Sequence, residues 1–546
     1  MTLSTSPVAT ILFATLLLAL PCLAKDKPKP ADEEAAPAAT AVDQEAKAKP
    51  ESEESDHTEP AITHGNLISP DGSEFAYTAT AGVIDLKDDK QETTGSVFHV
   101  AYTSKEPDAS RPVVFCFNGG PGSAAVWLHM GALGPKRINL PGKGTQPGSP
   151  PFKLVANPHT ILPLADLVFV DPISTGYSRP KTKENKKDFH GFSEDIESMG
   201  EFIRLWITNN GRWGSPKILL GESYGALRVA GLAGYLQDRH GMYLNGVVLL
   251  SGIIDFRTIS SRGGNDLPYS AFLPSIAATA YYHGKLGREA GPDLETVVRR
   301  AQDFADTDYA SALQAGSRLS PELRHAVCEE LSLLTSIPYG VIDKADLRID
   351  PTFFRKQLLL TTSEVIGRFD GRVTLPARDA LRSSASFDPS WDVTYGAYAT
   401  GMNRYLRDTL EYESELPYKV IGSVHPWGYD EFENAFVNST DDLRNAMVSN
   451  PKLKLLVNCG YYDLATPPAG IEYSIAQMKL PREVRNNIRY AYYQGGHMFY
   501  TNPEALKKLR TDLETFLAAA APATPKAKVK ATPKGEEETN DNTEEE

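Results

Sequence analysis

The run Gly221-Glu222-Ser223-Tyr224-Gly225 holds the residues best suited to make and break covalent bonds. It follows an apolar stretch at 217–220 and opens a helical pattern over 224–237. At a strand-to-helix turn of this kind the serine hydroxyl stands clear of the sheet. The flanking glycines let strand and helix approach closely. The backbone N–H of Tyr224, at the start of the helix, can stabilise negative charge as it develops beside the serine. The chemistry is that of an activated alcohol, and an alcohol needs a base.

Among the 11 histidines, His57, His64, His190, His240 and His283 lie in polar or loop contexts. His497 differs. It sits in Gly495-Gly496-His497-Met498, just after an apolar run at 488–493 and shortly before a final helical pattern. Loops at the C-terminal ends of strands are where open α/β sheets keep their reactive groups. An imidazole used as a base needs an acid to fix its tautomer and stabilise its cation. Asp463, in Cys459-Gly460-Tyr461-Tyr462-Asp463, follows the run at 453–457 and supplies one. The order Ser223, Asp463, His497 along the chain is that of α/β-hydrolases. A second donor to an oxyanion is expected from Asn118-Gly119-Gly120-Pro121-Gly122, after the run at 112–117, with Gly120 the chosen residue beside Tyr224. No Lys-Ser/Thr pair follows these glycines, which argues against a phosphate-binding loop.

These groups must be carried by a sheet. Short apolar runs at 112–117, 167–170, 218–220, 247–250, 453–457 and 488–493 read as buried parallel strands covered by helices on both faces. Residues 74–104 suggest antiparallel hairpins. Helices are expected from a Ser193 cap through 208, over 224–237 and over 503–519. Alternation of this kind predicts an α/β fold with a mostly parallel central sheet. The rhythm breaks between 256 and 430, where residues 269–335 look helical and aromatic-rich loops follow. That segment is expected to be an inserted cap or lid. It separates a first part of the core, 61–255, from a second part, 431–519.

Four motifs together resemble the serine carboxypeptidase family: Asn118-Gly-Gly-Pro-Gly122, Asp171-Pro-Ile-Ser-Thr-Gly-Tyr-Ser178, Gly221–Gly225, and Gly496-His497-Met498. The resemblance implies an α/β-hydrolase fold and cleavage of C-terminal peptide bonds through an acyl-enzyme, with a peptide substrate and no cofactor. It also implies that Asn118, Glu222 and the Gly119 N–H bind the substrate's terminal carboxylate, with Glu222 holding a proton. The family usually pairs that glutamate with a second acid before Leu-Gly-Pro. Here the segment is Gly131-Ala132-Leu133-Gly134-Pro135, with Ala132 in that place, Cys116 in place of a usual Trp and Ser123 in place of a usual Cys. An esterase, amidase or acyltransferase on the same triad is therefore the alternative.

Composition narrows the remaining choices. The net charge of −14 argues against nucleic acid or anionic lipid as a main partner. The 4 cysteines, Cys22, Cys116, Cys328 and Cys459, are widely spaced and suggest neither a disulfide framework nor a metal site. Residues 2–24 carry no charged side chain and end in Cys22-Leu23-Ala24, so residues 1–24 read as a signal peptide and the protein as exported, with a bacterial envelope favoured. Residues 25–60 and 520–546, rich in Ala, Pro, Lys and Glu, are expected to stay disordered. Oligomeric state is not legible.

Overall fold

A computed structural model describes residues 59–69, 71–378 and 385–522. The expected signal peptide, nearly all of the 25–60 linker and nearly all of the 520–546 tail lie outside them.

The main sheet has ten strands. Nine lie in one row: β1 (Ala61–Ile68), β2 (Glu74–Lys87), β3 (Thr93–Ser104), β4 (Val113–Phe117), β5 (Asp166–Val170), β6 (Lys217–Glu222), β7 (Gly246–Leu250), β8 (Lys454–Gly460) and β9 (Ile488–Tyr493), in the spatial order β1-β2-β3-β5-β4-β6-β7-β8-β9. The two-residue strand Arg179–Pro180 adds to β3. The first three strands and the β3–β5 contact are antiparallel. From β5 to β9 every pairing is parallel. All six predicted strand runs are present, and the mostly parallel sheet matches the expected α/β-hydrolase fold.

The sheet's two faces feed two apolar cores with the period-two alternation of a strand. Val113, Phe115 and Phe117 pack on one side, Val114 and Cys116 on the other. Helices α1 (Phe192–Asn209) and α2 (Tyr224–His240) cover the first side. On the second, α4 (Pro389–Asp408) and α5 (Pro503–Ala520) supply Tyr398, Tyr405, Leu509 and Leu513. Burial of both faces explains why these strands read as unbroken apolar runs. A third core, among helices from α3 (Leu267–Tyr282) to Pro351–Gln357, belongs to the 256–430 segment and includes Leu464 of the β8 loop.

Two expectations are corrected. Ser193 does not cap α1: the helix starts at Phe192 with Gly191 at its cap position, and the Ser193 hydroxyl instead donates to Glu431. The stretch after 335 is not all loop either, since α4 runs for 20 residues from an Asp388 cap. Its aromatic and glycine residues are weak helix formers, and packing against the sheet overrides that preference.

A buried ion pair ties the helix behind the serine to the glycine loop. Arg228 on α2 and Asp195 on α1 are 0% and 2% exposed, with Nε to Oδ2 at 2.8 Å, and Arg228 Nη1 also donates to the Asn118 carbonyl at 2.7 Å. Removing one partner of such a pair leaves a buried, unmatched charge. Arg228→Met is expected to destabilise the fold by about 3–5 kcal/mol in urea unfolding. Adding Asp195→Leu should recover much of that. A loss below about 1 kcal/mol for the single variant would rule out this role.

Candidate active site

The C-terminal ends of β6, β7 and β8 are level, with Glu222 opposite Leu250 and Leu250 opposite Asn458. The loops that leave these strands therefore share one rim. Ser223 lies on it with φ 61° and ψ −128°, a conformation L-residues rarely adopt, and it directly precedes α2. The Ser223 N–H donates to the Leu250 carbonyl at 3.1 Å. The next residue, Ser251, donates its hydroxyl to the His497 carbonyl at 2.7 Å.

Close packing makes this turn possible. A Cβ on Gly221 would lie 2.0 Å from the Gly225 carbonyl oxygen. A Cβ on Gly119 would lie 2.5 Å from the Tyr224 nitrogen and 2.8 Å from the Ser223 Cβ. The glycine loop is thus pressed against the serine turn. Among the described residues, the N–H groups of Gly119, Gly120 and Tyr224 have no acceptor.

His497 and Asp463 are brought together, both buried, with Nδ1 2.8 Å from Oδ2. Asp463 is held in turn. Its Oδ1 accepts from the N–H groups of Ala465 and Thr466 at 2.8 and 2.9 Å, and its Oδ2 accepts from the Thr466 hydroxyl at 2.9 Å. The backbone of His497 is fixed by a 2.5 Å bond from its N–H to the Phe369 carbonyl, and the Phe369 ring lies 5.1 Å from the imidazole. Burial pulls the imidazole pKa down, but the adjoining Asp463 carboxylate, with Glu222 beyond it, more than offsets this and leaves it raised. Ser223 is half-buried, and no Ser223–imidazole hydrogen bond is formed among the described residues. Bonds of this type often tighten only when substrate is bound.

Glu222 is buried beside the serine. Its Oε2 accepts from Asn118 Nδ2 at 3.0 Å and from the Tyr500 hydroxyl at 2.9 Å. Oε1 has no partner among the described residues, and it is not sealed from solvent. Burial raises this carboxyl to about 7 against the opposing pull of His497, Tyr500 and Asn118. Asn118 is itself fixed, since its Oδ1 accepts from the Leu128 N–H at 3.1 Å.

Three contributors were not found from sequence. Thr466 braces Asp463, and the only cue was its place three residues further on. Tyr500 reaches Glu222 from one turn beyond His497. Near Ala132, Tyr398 and Tyr500 fill the space: a Cβ on Gly131 would meet both at 2.6 Å. Phe369 comes from the 256–430 segment, where no sequence signal marked it. Among the described residues there is no cluster of His, Cys, Asp or Glu able to hold a metal. Cys116, Cys328 and Cys459 are free and buried.

Comparison with known proteins follows the same lines. The sequence profile of the serine carboxypeptidase family matches residues 72–350, just over half of the 546-residue chain. The chain is similar to serine carboxypeptidase S10 family member 1 of Dictyostelium discoideum, 23% identical over 235 residues, covering 41% of this chain and 50% of that protein. It is also similar to the pheromone-processing carboxypeptidase KEX1 of Saccharomyces cerevisiae, 28% identical over 137 residues, covering 24% of this chain and 17% of that protein. The chain thus matches half or less of the length of these curated relatives. Among solved structures, KEX1(delta)p, a prohormone-processing carboxypeptidase from Saccharomyces cerevisiae, aligns with a TM-score of 0.50 at 15% identity, covering 80% of this chain and 91% of that one, a likeness of fold. The matched profile takes in both the glycine loop and the serine turn, and the chain belongs to the serine carboxypeptidase family.

Proposed function

We propose that this protein is a serine-type carboxypeptidase that removes C-terminal residues from peptides. The observation that carries this reading is Glu222, beside Ser223, with one oxygen saturated by two donors and the other left for a ligand. Because Asn118 and Tyr500 fix Oε2 as an acceptor, a proton on Glu222 resides on Oε1. A protonated Oε1 donates to a substrate carboxylate, which an ionised one repels. The Asn118 amide and the Gly119 N–H complete that subsite.

The reaction then follows from the neighbouring groups. The Ser223 oxygen attacks the scissile carbonyl carbon while its proton passes to His497. The Gly120 and Tyr224 N–H groups receive the resulting oxyanion. Asp463 holds the imidazole in place and stabilises its cation. Collapse of the intermediate breaks the C–N bond, and His497 returns the proton to the leaving amine. Water, activated by the same imidazole, then hydrolyses the acyl-enzyme. An esterase, amidase or acyltransferase is the second reading, favoured by Ala132 where a second acid is usual. A blocked dipeptide and its C-terminal amide separate the two, since a carboxypeptidase strongly prefers the free acid.

Ser223→Ala is expected to lower kcat by roughly 10⁴- to 10⁶-fold with folding retained. Retained activity in that variant would remove Ser223 as nucleophile. The pH dependence has two limbs. His497 must be neutral to act as a base, so activity falls on the acid side. Glu222 must be protonated to bind the free acid, so kcat/KM falls as pH rises through about 7. Glu222→Gln keeps a donor at every pH and should flatten the alkaline limb. An unchanged profile would take Glu222 out of substrate recognition. Export belongs to the same proposal: cleavage after Ala24 predicts a mature chain beginning at Lys25, which N-terminal sequencing of exported protein checks. No described helix is long and apolar enough to cross a membrane.

A further inference from the structure

The loop joining the two short strands Glu364–Ile366 and Thr374–Pro376 enters the site from the 256–430 segment. Its backbone is fixed against the loops of both His497 and Asp463. The Phe369 carbonyl accepts from the His497 N–H, the Arg368 carbonyl accepts from the Leu464 N–H at 3.1 Å, and the Gly371 N–H donates to the Tyr462 carbonyl at 2.9 Å. On the other flank the N–H groups of Arg368 and Phe369 donate to Asp388 Oδ1 and Ser390 Oγ at 2.8 and 3.0 Å.

The Arg368 side chain is treated differently from its backbone. Nearby arginines have acceptors: Arg372 donates to both Asp370 oxygens and to the Gln494 carbonyl, and Arg355 donates to the Ile366 and Phe387 carbonyls. The guanidinium of Arg368 makes no hydrogen bond or ion pair with any described residue, although it is only half-buried and keeps its nitrogens in contact with solvent. It rests over the Phe369 ring, 5.3 Å from its centroid, and that ring lies 5.1 Å from the His497 imidazole. Five N–H donors on a rigid fork are thus held one aromatic ring away from the imidazole with no acceptor among the described residues. Of the carboxylates that face Arg368 at longer range, Asp463 accepts hydrogen bonds through both oxygens and Asp388 through Oδ1, while Asp388 Oδ2 is buried with no partner among the described residues, the Arg368 guanidinium included.

We propose that Arg368 is a specificity-determining residue that binds a carboxylate on the side chain of a substrate residue flanking the scissile bond, so that the enzyme favours peptides with Asp or Glu at that position. The proposal rests on the carboxypeptidase reading above and names its substrate class. The planar fork suits bidentate capture of a carboxylate, and the aromatic face beneath it limits the orientations the side chain must give up on binding. The terminal carboxylate remains with Asn118, Gly119 and Glu222.

The test uses blocked dipeptides in pairs that differ only as Glu against Gln, placed once on each side of the scissile bond. Wild type is expected to favour Glu by about 10-fold in kcat/KM at one of the two positions. Arg368→Gln should abolish that preference while leaving the Gln peptide within about 3-fold of wild type. Arg368→Glu should turn the preference towards Lys. If the Gln peptides are cleaved and no acidic preference exists at either position, the proposal fails and the carboxypeptidase reading stands. A uniform fall for all peptides in Arg368→Gln, or a fall for every free acid but not for the matching C-terminal amides, also overturns it. In the first case the cation serves the His497–Asp463 pair, and in the second it serves the terminal carboxylate. If no peptide of any pair is cleaved, the carboxypeptidase reading falls and this proposal with it.

Discussion

The left-handed backbone at Ser223 is the constraint on which the rest of the site depends. A serine at φ 61° and ψ −128° is strained, and it persists only where its surroundings leave it no alternative. Here β6 fixes one side and α2 the other, the Leu250 carbonyl holds its N–H, and the glycine loop closes over it at van der Waals range. The buried Arg228–Asp195 pair then anchors that loop from below through the Asn118 carbonyl. One strained residue thereby sets the positions of the hydroxyl, the Tyr224 N–H and the carboxylate at 222.

Glu222 illustrates how a local arrangement can substitute for a missing group. Ala132 stands where a second acid is usual; next to it Tyr398 and Tyr500 pack against Gly131, and Tyr500 donates to the same oxygen as Asn118. A second acid would share a proton with Glu222 and favour acidic conditions. Burial here raises a single carboxyl to about 7 against the pull of the Tyr500 hydroxyl, and Oε1 has no partner among the described residues. The His497–Asp463 pair is braced by a similar economy of parts, since Thr466 bonds the carboxylate and also reaches the Ser251 carbonyl.

The 256–430 segment does more than cover the sheet. Its loop at Arg368–Gly371 bonds to the backbones of the His497 and Asp463 loops, so the position of the proposed base depends on residues far away in the chain. Its own apolar core gives that loop a rigid support. The rim loops and the 256–430 segment are thus joined through backbone hydrogen bonds.

The strands and the residues proposed for catalysis were legible in the sequence because each has a local signature. Doubly covered strands leave apolar runs, a serine turn needs its glycines, and His497 and Asp463 each follow such a run. The helix start at Phe192 was misplaced by two positions, because serine caps and serines inside a first turn look alike until the Glu431 partner is known. Helix α4 was missed because its aromatic residues owe their helicity to packing. Tyr500, Phe369 and Arg368 had no local signal at all, and Thr466 had only its place three residues after Asp463. Their roles arise from contacts across loops, and hydrogen bonds between distant segments leave no periodicity behind. Sequence pointed to the groups proposed to react; only the tertiary structure decided which oxygen of Glu222 lacks a partner among the described residues, what braces the acid at 463, and which cation one ring from the imidazole has no partner among them.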